Sequence, residues 1–419
     1  MSKEPHGIDR LHREHFESLD ASDRLSHFRD EFFLPPDVIY LDGMSLGALP
    51  RKAEASVSRV VGEEWGRGLI RSWNDANWID APQRIAAKIA PLIGAEPDEV
   101  IVGDSTSVNL FKLLVAALRI RDDRRIILME TENFPTDIYV ARGVETLRPD
   151  VELRLVSSDE LSSELNSEVA VVLLTHVDFK TGSMHDMAQR TRQAHDAGAL
   201  VLWDLSHSTG AVPLALREWQ VDLAVGCGYK YLNGGPGAPS FMFAAHRHQP
   251  VLDQPITAWM GHEQPFEFSL DYVPATGMRR LLSGTPPIVS LAAMEAGLAI
   301  WDRVDINLLR EKSVALSQSF LHIVEAHLDS SEIALASPRA PERRGSHLAF
   351  RHPNAYEVMQ ALIARGVIGD YREPDLMRFG FTPLYTRFTE IWDAAVSLVD
   401  IIKNREWDQA RYRQRSAVT

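Results

Sequence analysis

The chain has 419 residues, 45% hydrophobic and 24% charged, with 44 basic against 58 acidic side chains for a formal net charge of −14. That length allows a large core and a deep site in about two to three domains and excludes a peptide-sized module. The acidic excess opposes duplex nucleic acid or an anionic membrane surface as the main partner, and the ordinary composition argues against disorder and fibrous repeats.

The opening MSKEPHGIDRLHREHFESLDASD is charged throughout, with no apolar stretch of signal-peptide length. No later run reaches the ~18 apolar residues of a membrane span. The lone Cys227 can form neither an intramolecular disulfide nor a zinc knuckle. A soluble protein of the reducing cytoplasm, without a metal site, is therefore expected. Residues 1–60 read as an arm that begins helical, ends in the turn-rich YLDGMSLGALPR and joins a small domain. From about 100 to 245, strand-like runs (VIVG, RIILME, VELRLV, VAVVLLT, ALVLWDL, LAVGCGYK, SFMFAA) alternate with amphipathic stretches. That alternation predicts an α/β fold, with a mostly parallel seven-stranded sheet in a large domain over 61–288. After about 289, long helical patterns, the runs EIALASP and SHLAFRH, and helices near 354–365 and 386–404 predict a smaller α+β domain over 289–419.

In such sheets ligands sit beyond the carboxyl ends of the strands, where most polar oddities of this chain fall. The run LAVGCGYKYLNGGPG delivers Lys230 from a strand into a glycine-rich loop beside Tyr229. A desolvated amine there is a Schiff-base nucleophile, and a surface lysine on a loop is the plainer alternative. In LVLWDLSHSTGAVP, Asp204 ends an apolar strand and His207 follows. Such a carboxylate either meets a cation, for which a protonated pyridine nitrogen qualifies, or caps the next turn. Ser105, Thr106 and Ser107 precede an amphipathic helix, where backbone N–H groups and hydroxyls make either a phosphate site or an ordinary N-cap. Phe134 and Asp137 in ENFPTDIY are placed to stack on a ring and to hydrogen-bond near it, and Thr285 stands before a Pro-Pro that enforces an extended loop. The glycines around 226–237 satisfy no nucleotide-binding fingerprint.

The order phosphate helix, ring-stacking aromatic, strand-end aspartate, then lysine resembles the pyridoxal-phosphate enzymes of the aspartate aminotransferase fold type (fold type I, class V aminotransferase-like). Within that group the wording is similar to the kynureninase family. The resemblance spans nearly the whole chain, through YLDGMSLGALPR, STSVNLFKLL, NFPTD, WDLSHSTG, GCGYKYLNGGPG, SGTPP and RFGFTPLY. It implies hydrolysis of L-kynurenine, with the 3-hydroxy form as the alternative substrate, to anthranilate and L-alanine by Cβ–Cγ cleavage in tryptophan catabolism. It also implies pyridoxal 5′-phosphate as cofactor, and an amino-acid substrate.

Residue by residue, the resemblance makes Lys230 the lysine that holds the cofactor and moves the Cα proton, with Tyr229 beside it for phosphate binding and proton transfer. Asp204 becomes the partner of the pyridine nitrogen, His207 its neighbour, Phe134 the stacking residue and Asp137 a second carboxylate near the ring. Thr106 and Ser107 hold the phosphate, and Thr175 stands where a small hydroxyl residue is expected. Arg378 grips the substrate α-carboxylate, while Trp73 and Asn74 shape the aryl pocket. Trp259 and Thr285 reach the site from a second subunit, which implies a homodimer with shared active sites. His185 has no assigned role and is expected in a solvated turn. A desulfurase needs a mobile nucleophilic cysteine, whereas Cys227 is expected to pack as a small hydrophobe; an aminotransferase or a non-catalytic cofactor-binding regulator are the other rival readings.

Overall fold

The computed structural model describes residues 10–415, so the first nine residues of the expected N-terminal arm lie outside the described residues. The seven apolar runs become strands because a parallel sheet covered on both faces leaves no room for polar alternation. They are β1 (Val100–Val102), β2 (Ile126–Glu130), β3 (Glu152–Val156), β4 (Val169–Thr175), β5 (Leu200–Asp204), β6 (Leu223–Gly226) and β7 (Phe241–Ala244). Their spatial order is β1-β7-β6-β5-β4-β2-β3. The strands β2 to β6 pair in parallel, and β7 lies antiparallel to both β1 and β6. Only the edge strand β3 is partly exposed, and it carries the charged Glu152 and Arg154 that blunt an edge.

Helix α1 (Thr106–Ile120) follows β1. Its Leu110, Leu113, Leu114 and Ala117 share one core with Ile127, Val171, Leu202 and Val225 of the sheet. Helix α2 (Pro135–Leu147) starts on a proline whose fixed φ suits a first turn, and α3 (Met187–Asp196) starts where Asp186 accepts the Gln189 N–H.

Helix α4 (Ile288–Trp301) packs on the helix Ala81–Ile89, and Arg84 clasps Glu295 across that contact at 2.9 and 3.2 Å. It therefore belongs to the sheet-bearing unit, which comprises Lys52–Asp178 and Met184–Arg303. Among the described residues, the second unit comprises 10–51, Phe179–Ser183 and 304–415. The divisions thus fall at 51 and 303, against the expected 60 and 288. The short excursion Phe179–Ser183 joins the second unit because the Thr181 carbonyl accepts from Ser337 Oγ and the Gly182 carbonyl from Gly345 N–H.

The second unit holds α5 (Ile306–His327), β8 (Ala334–Leu335), β9 (His347–Arg351), α6 (Ala355–Ala364), β10 (Asp370–Arg372), β11 (Leu376–Gly380) and α7 (Phe388–Lys403). Its antiparallel sheet runs β8-β9-β11-β10, and Phe320, Phe350, Phe379 and Phe381 centre its core. No described helix is long and apolar enough to cross a membrane.

Candidate active site

Strands β4 and β5 end in register, with Thr175 opposite Asp204. Their burial in the sheet carries both side chains into an environment with little water. Asp204 is 3% exposed, and its Oδ1 accepts the Ser206 N–H at 2.8 Å. Asp137, in the first turn of α2, is buried beside them and accepts from Thr175 Oγ1 at 3.3 Å. Neither carboxylate forms an ion pair with a described cation. Burial pushes both carboxyls above the usual aspartate range, and the charge of Asp204 pushes Asp137 further. The Lys230 ammonium pulls each of them down.

Lys230 leaves β6 on a loop whose path demands glycine: a Cβ on Gly228 would stand 2.5 Å from the Pro239 carbonyl. Its Nζ lies 2.9 Å from His207 Nε2 and 5.8 Å from the centre of the Tyr229 ring. Burial, above all, holds the Tyr229 phenol well above its ordinary value. Cys227 is buried, its Sγ donating to the Ser206 carbonyl at 3.7 Å, and burial raises its thiol too. It packs as a small hydrophobe.

Thr106 and Ser107 form the first turn of α1, capped by Ser105, whose side chain accepts the Val108 N–H at 3.4 Å. Ser107 and Thr285 are exposed and Thr106 is half-buried. Phe134 stands immediately before α2 and is 38% exposed. Trp73, Asn74 and Trp259 line a cavity of about 680 Å³ together with Ile70, Phe266 and Phe268. The Trp73 and Trp259 rings meet edge-on, with centroids 6.2 Å apart, and Thr285 is not among the lining residues.

In the second unit, Arg378 lies on β11 and is 1% exposed. Its guanidinium takes Asp370 of β10 in a two-pronged pair, Nε to Oδ1 and Nη2 to Oδ2, both at 2.7 Å. It also donates to the Phe179 carbonyl and, at 3.4 Å, to Ser45 Oγ. Arg372 reaches the same Asp370 at 2.8 Å. Asp42 borders this group, and burial, then the charge of Asp370, raises its carboxyl to about 7.

His185 departs from the solvated turn expected of it: its Nε2 pairs with Glu130 Oε2 at 3.0 Å, in a half-buried position. The reason is Glu130, a carboxylate ending β2 that is itself buried and needs a cation. Sequence reasoning also passed over Asn133, whose Oδ1 accepts the Thr175 N–H at 3.3 Å while its Nδ2 donates to the Leu173 carbonyl at 3.2 Å. Its one visible signal was its place as the first residue of the quoted NFPTD motif. Asp370 left none, since what marks it is the arginines it meets, and Asp42 showed only as a residue of the quoted YLDGMSLGALPR.

Residues 309–398 match a family model described as the kynureninase C-terminal domain. The chain is 50% identical over 413 residues to a kynureninase of Burkholderia mallei (strain SAVP1), covering 97% of this chain and 99% of that one. It is equally 50% identical over 408 residues to a kynureninase of Pseudomonas fluorescens, covering 96% and 98%. Among solved structures, an apo cysteine desulfurase from Thermococcus onnurineus NA1 shares the fold, with TM-score 0.75 at 18% identity over 90% of this chain and 98% of that one. So does a C-DES mutant with glycine covalently linked to the PLP cofactor, with TM-score 0.76 at 16% identity over 89% and 99%.

Proposed function

The chain belongs to the kynureninase family, and from that premise we propose that it hydrolyses L-kynurenine to anthranilate and L-alanine, with pyridoxal 5′-phosphate as its cofactor. The observation that carries the reading is Asp204, a buried strand-end carboxylate with no ion-paired cation, facing a lysine at the end of the neighbouring strand's loop.

The residues present fit the cofactor. An ionised carboxylate buried without a cation is costly, and a protonated pyridine nitrogen would cancel that cost at Asp204. Thr106 and Ser107 would hold the phosphate on the first turn of α1, and Phe134 would cover the ring. Asp137, Thr175 and His207 would border it. When bound, pyridoxal phosphate supplies an electron sink for the pairs released at the substrate Cα and Cβ.

The chain's own groups handle the protons. The Lys230 amine takes the Cα proton as general base, and its contact with His207 Nε2 orients it. Asp204 keeps a positive charge on the ring nitrogen. Water adds at the γ-carbonyl; the Cβ–Cγ bond breaks, anthranilate leaves and the pair stays with Cβ. The Tyr229 phenol, which burial keeps from ionising, delivers a proton to Cβ, and Lys230 returns to Cα the one it took, which completes alanine. Arg378 binds the α-carboxylate, for which a planar guanidinium is suited. Trp73 and Asn74 border the aryl ring, and the apolar lining of their cavity supports plain kynurenine over its 3-hydroxy form.

The protein works as a homodimer in which Trp259 and Thr285 serve the site of the neighbouring copy. Ile70, Phe266, Phe268 and Leu270 support that reading, since such exposed apolar side chains favour burial against a partner. A single buried cysteine supports a cytoplasmic setting.

The test is addition of L-kynurenine to purified protein while anthranilate fluorescence and alanine are followed. Equal yields of both, a visible absorbance band, and loss of all three in Lys230→Ala are expected. A wild-type protein that binds pyridoxal phosphate but releases no anthranilate would overturn the substrate assignment.

A further inference from the structure

Lys112 lies in the second turn of α1 with its side chain fully buried. A buried ammonium persists only where its charge is met. Its Nζ reaches back along the helix to Asp104 Oδ2 at 2.6 Å and donates to the Leu281 carbonyl at 2.7 Å. Asp104 stands immediately before the Ser105 cap, held in the left-handed region at φ 48°. The same Oδ2 accepts from Ser283 Oγ at 3.0 Å, and the Ser283 carbonyl accepts the Met260 N–H at 3.2 Å. One buried lysine thus ties the start of α1 to the segment carrying Thr285 and to the turn carrying Trp259.

The charges give the arrangement its meaning. A helix N-terminus attracts an anion through its free N–H groups and its dipole, but a carboxylate two residues before Thr106 opposes a second anion there. Pairing with Lys112 cancels that charge, and the Ser283 hydroxyl fixes which way the carboxylate points. We propose that Lys112 is a positioning residue for the cofactor phosphate: it neutralises Asp104 and holds it aside, leaving the Thr106 and Ser107 turn free to take a phosphate dianion. The proposal rests on the pyridoxal-phosphate reading above and adds Lys112, Asp104 and Ser283 to it.

The experiment titrates full-length protein, stripped of cofactor, with pyridoxal 5′-phosphate and separately with pyridoxal, which lacks the phosphate, following visible absorbance. Lys112→Met keeps most of the buried stem but leaves Asp104 unpaired. It is expected to weaken pyridoxal phosphate binding about tenfold or more, with pyridoxal binding changed by less than about threefold. Adding Asp104→Asn to Lys112→Met removes the freed anion and is expected to restore phosphate binding to within about threefold of wild type. Asp104→Asn alone, which retains the lysine, is expected to keep the preference for the phosphorylated form at or above the wild-type ratio. Equal weakening of both ligands in Lys112→Met without rescue by Asp104→Asn, or a lowered phosphate preference in Asp104→Asn alone, would overturn the proposal. If wild-type protein bound neither ligand, the cofactor reading itself would fall, which is a distinguishable failure.

Discussion

In the second unit Asp42 and Asp370 face Arg372 and Arg378, whereas in the sheet-bearing unit Asp137 and Asp204 face Lys230 alone. The first group nearly closes on itself: Asp370 is gripped on both oxygens by Arg378 and again by Arg372. Its one surplus is Asp42, whose Oδ1 finds no hydrogen-bond partner and whose carboxyl rises to about 7. The second group stays open, with two buried acids sharing the field of one ammonium. A closed cluster stabilises and orients what it contains. An open one costs stability and is ready for a cation brought by a ligand, so the difference separates a device that holds an arginine in place from one that receives a cofactor.

The largest expected effect is on the open side. Asp204→Asn should lower kcat for anthranilate release by at least about a hundredfold, because a neutral amide no longer keeps the ring nitrogen protonated. The same variant, freed of cofactor, should unfold at higher urea concentration than wild type near neutral pH. A cofactor-free variant less stable than wild type would break the contrast.

On the closed side, Asp370→Asn strands a buried guanidinium and should cost about 3–5 kcal/mol of unfolding free energy, read from urea titrations. A loss no larger than that of a surface substitution would show that the pair is not closed in solution. Arg378→Ala should raise KM for kynurenine roughly 10- to 100-fold while leaving kcat less affected, the range set by a lost charge-assisted hydrogen bond. An unaltered KM would remove Arg378 from the substrate carboxylate.

The smallest effect concerns the surplus acid. Asp42 keeps its proton in the folded chain up to about pH 7, while the unfolded chain releases it near the ordinary aspartate value. The folded state therefore binds more protons across that window, and the contribution of Asp42 to stability is greatest below about pH 4 and falls as pH rises to about 7. In Asp42→Asn this fall should disappear, so the difference between mutant and wild-type unfolding free energies should grow in the mutant's favour from pH 4 to 7. A difference independent of pH would show that Asp42 does not titrate there.

How far these groups were legible follows from where their partners come from. Asp204 and Lys230 announced themselves because each is polar at the end of an apolar run, and the sheet had only to bring two strand ends together. The His185 pairing was not legible, since Glu130 belongs to a strand 55 residues earlier. Asp370 sits directly opposite Arg378 in an antiparallel hairpin. DYREPDLMRFG, with its mixed charges, carries too little apolar alternation to read as two strands.

The amino-acid sequence by itself determined the seven strands, all but the edge strand β3 buried, the helix that follows β1 and the identities of the residues at the strand ends. Local pattern suffices for these, because a strand covered on both faces must be apolar along its length and polar where it stops. Only the tertiary structure decided the charge balance around them: which carboxylate meets an arginine, which is left open, and that Lys112, an ordinary lysine in an amphipathic pattern, lies buried against Asp104. Burial and pairing are properties of surroundings assembled from distant segments, and the cost of a charge is set by those surroundings.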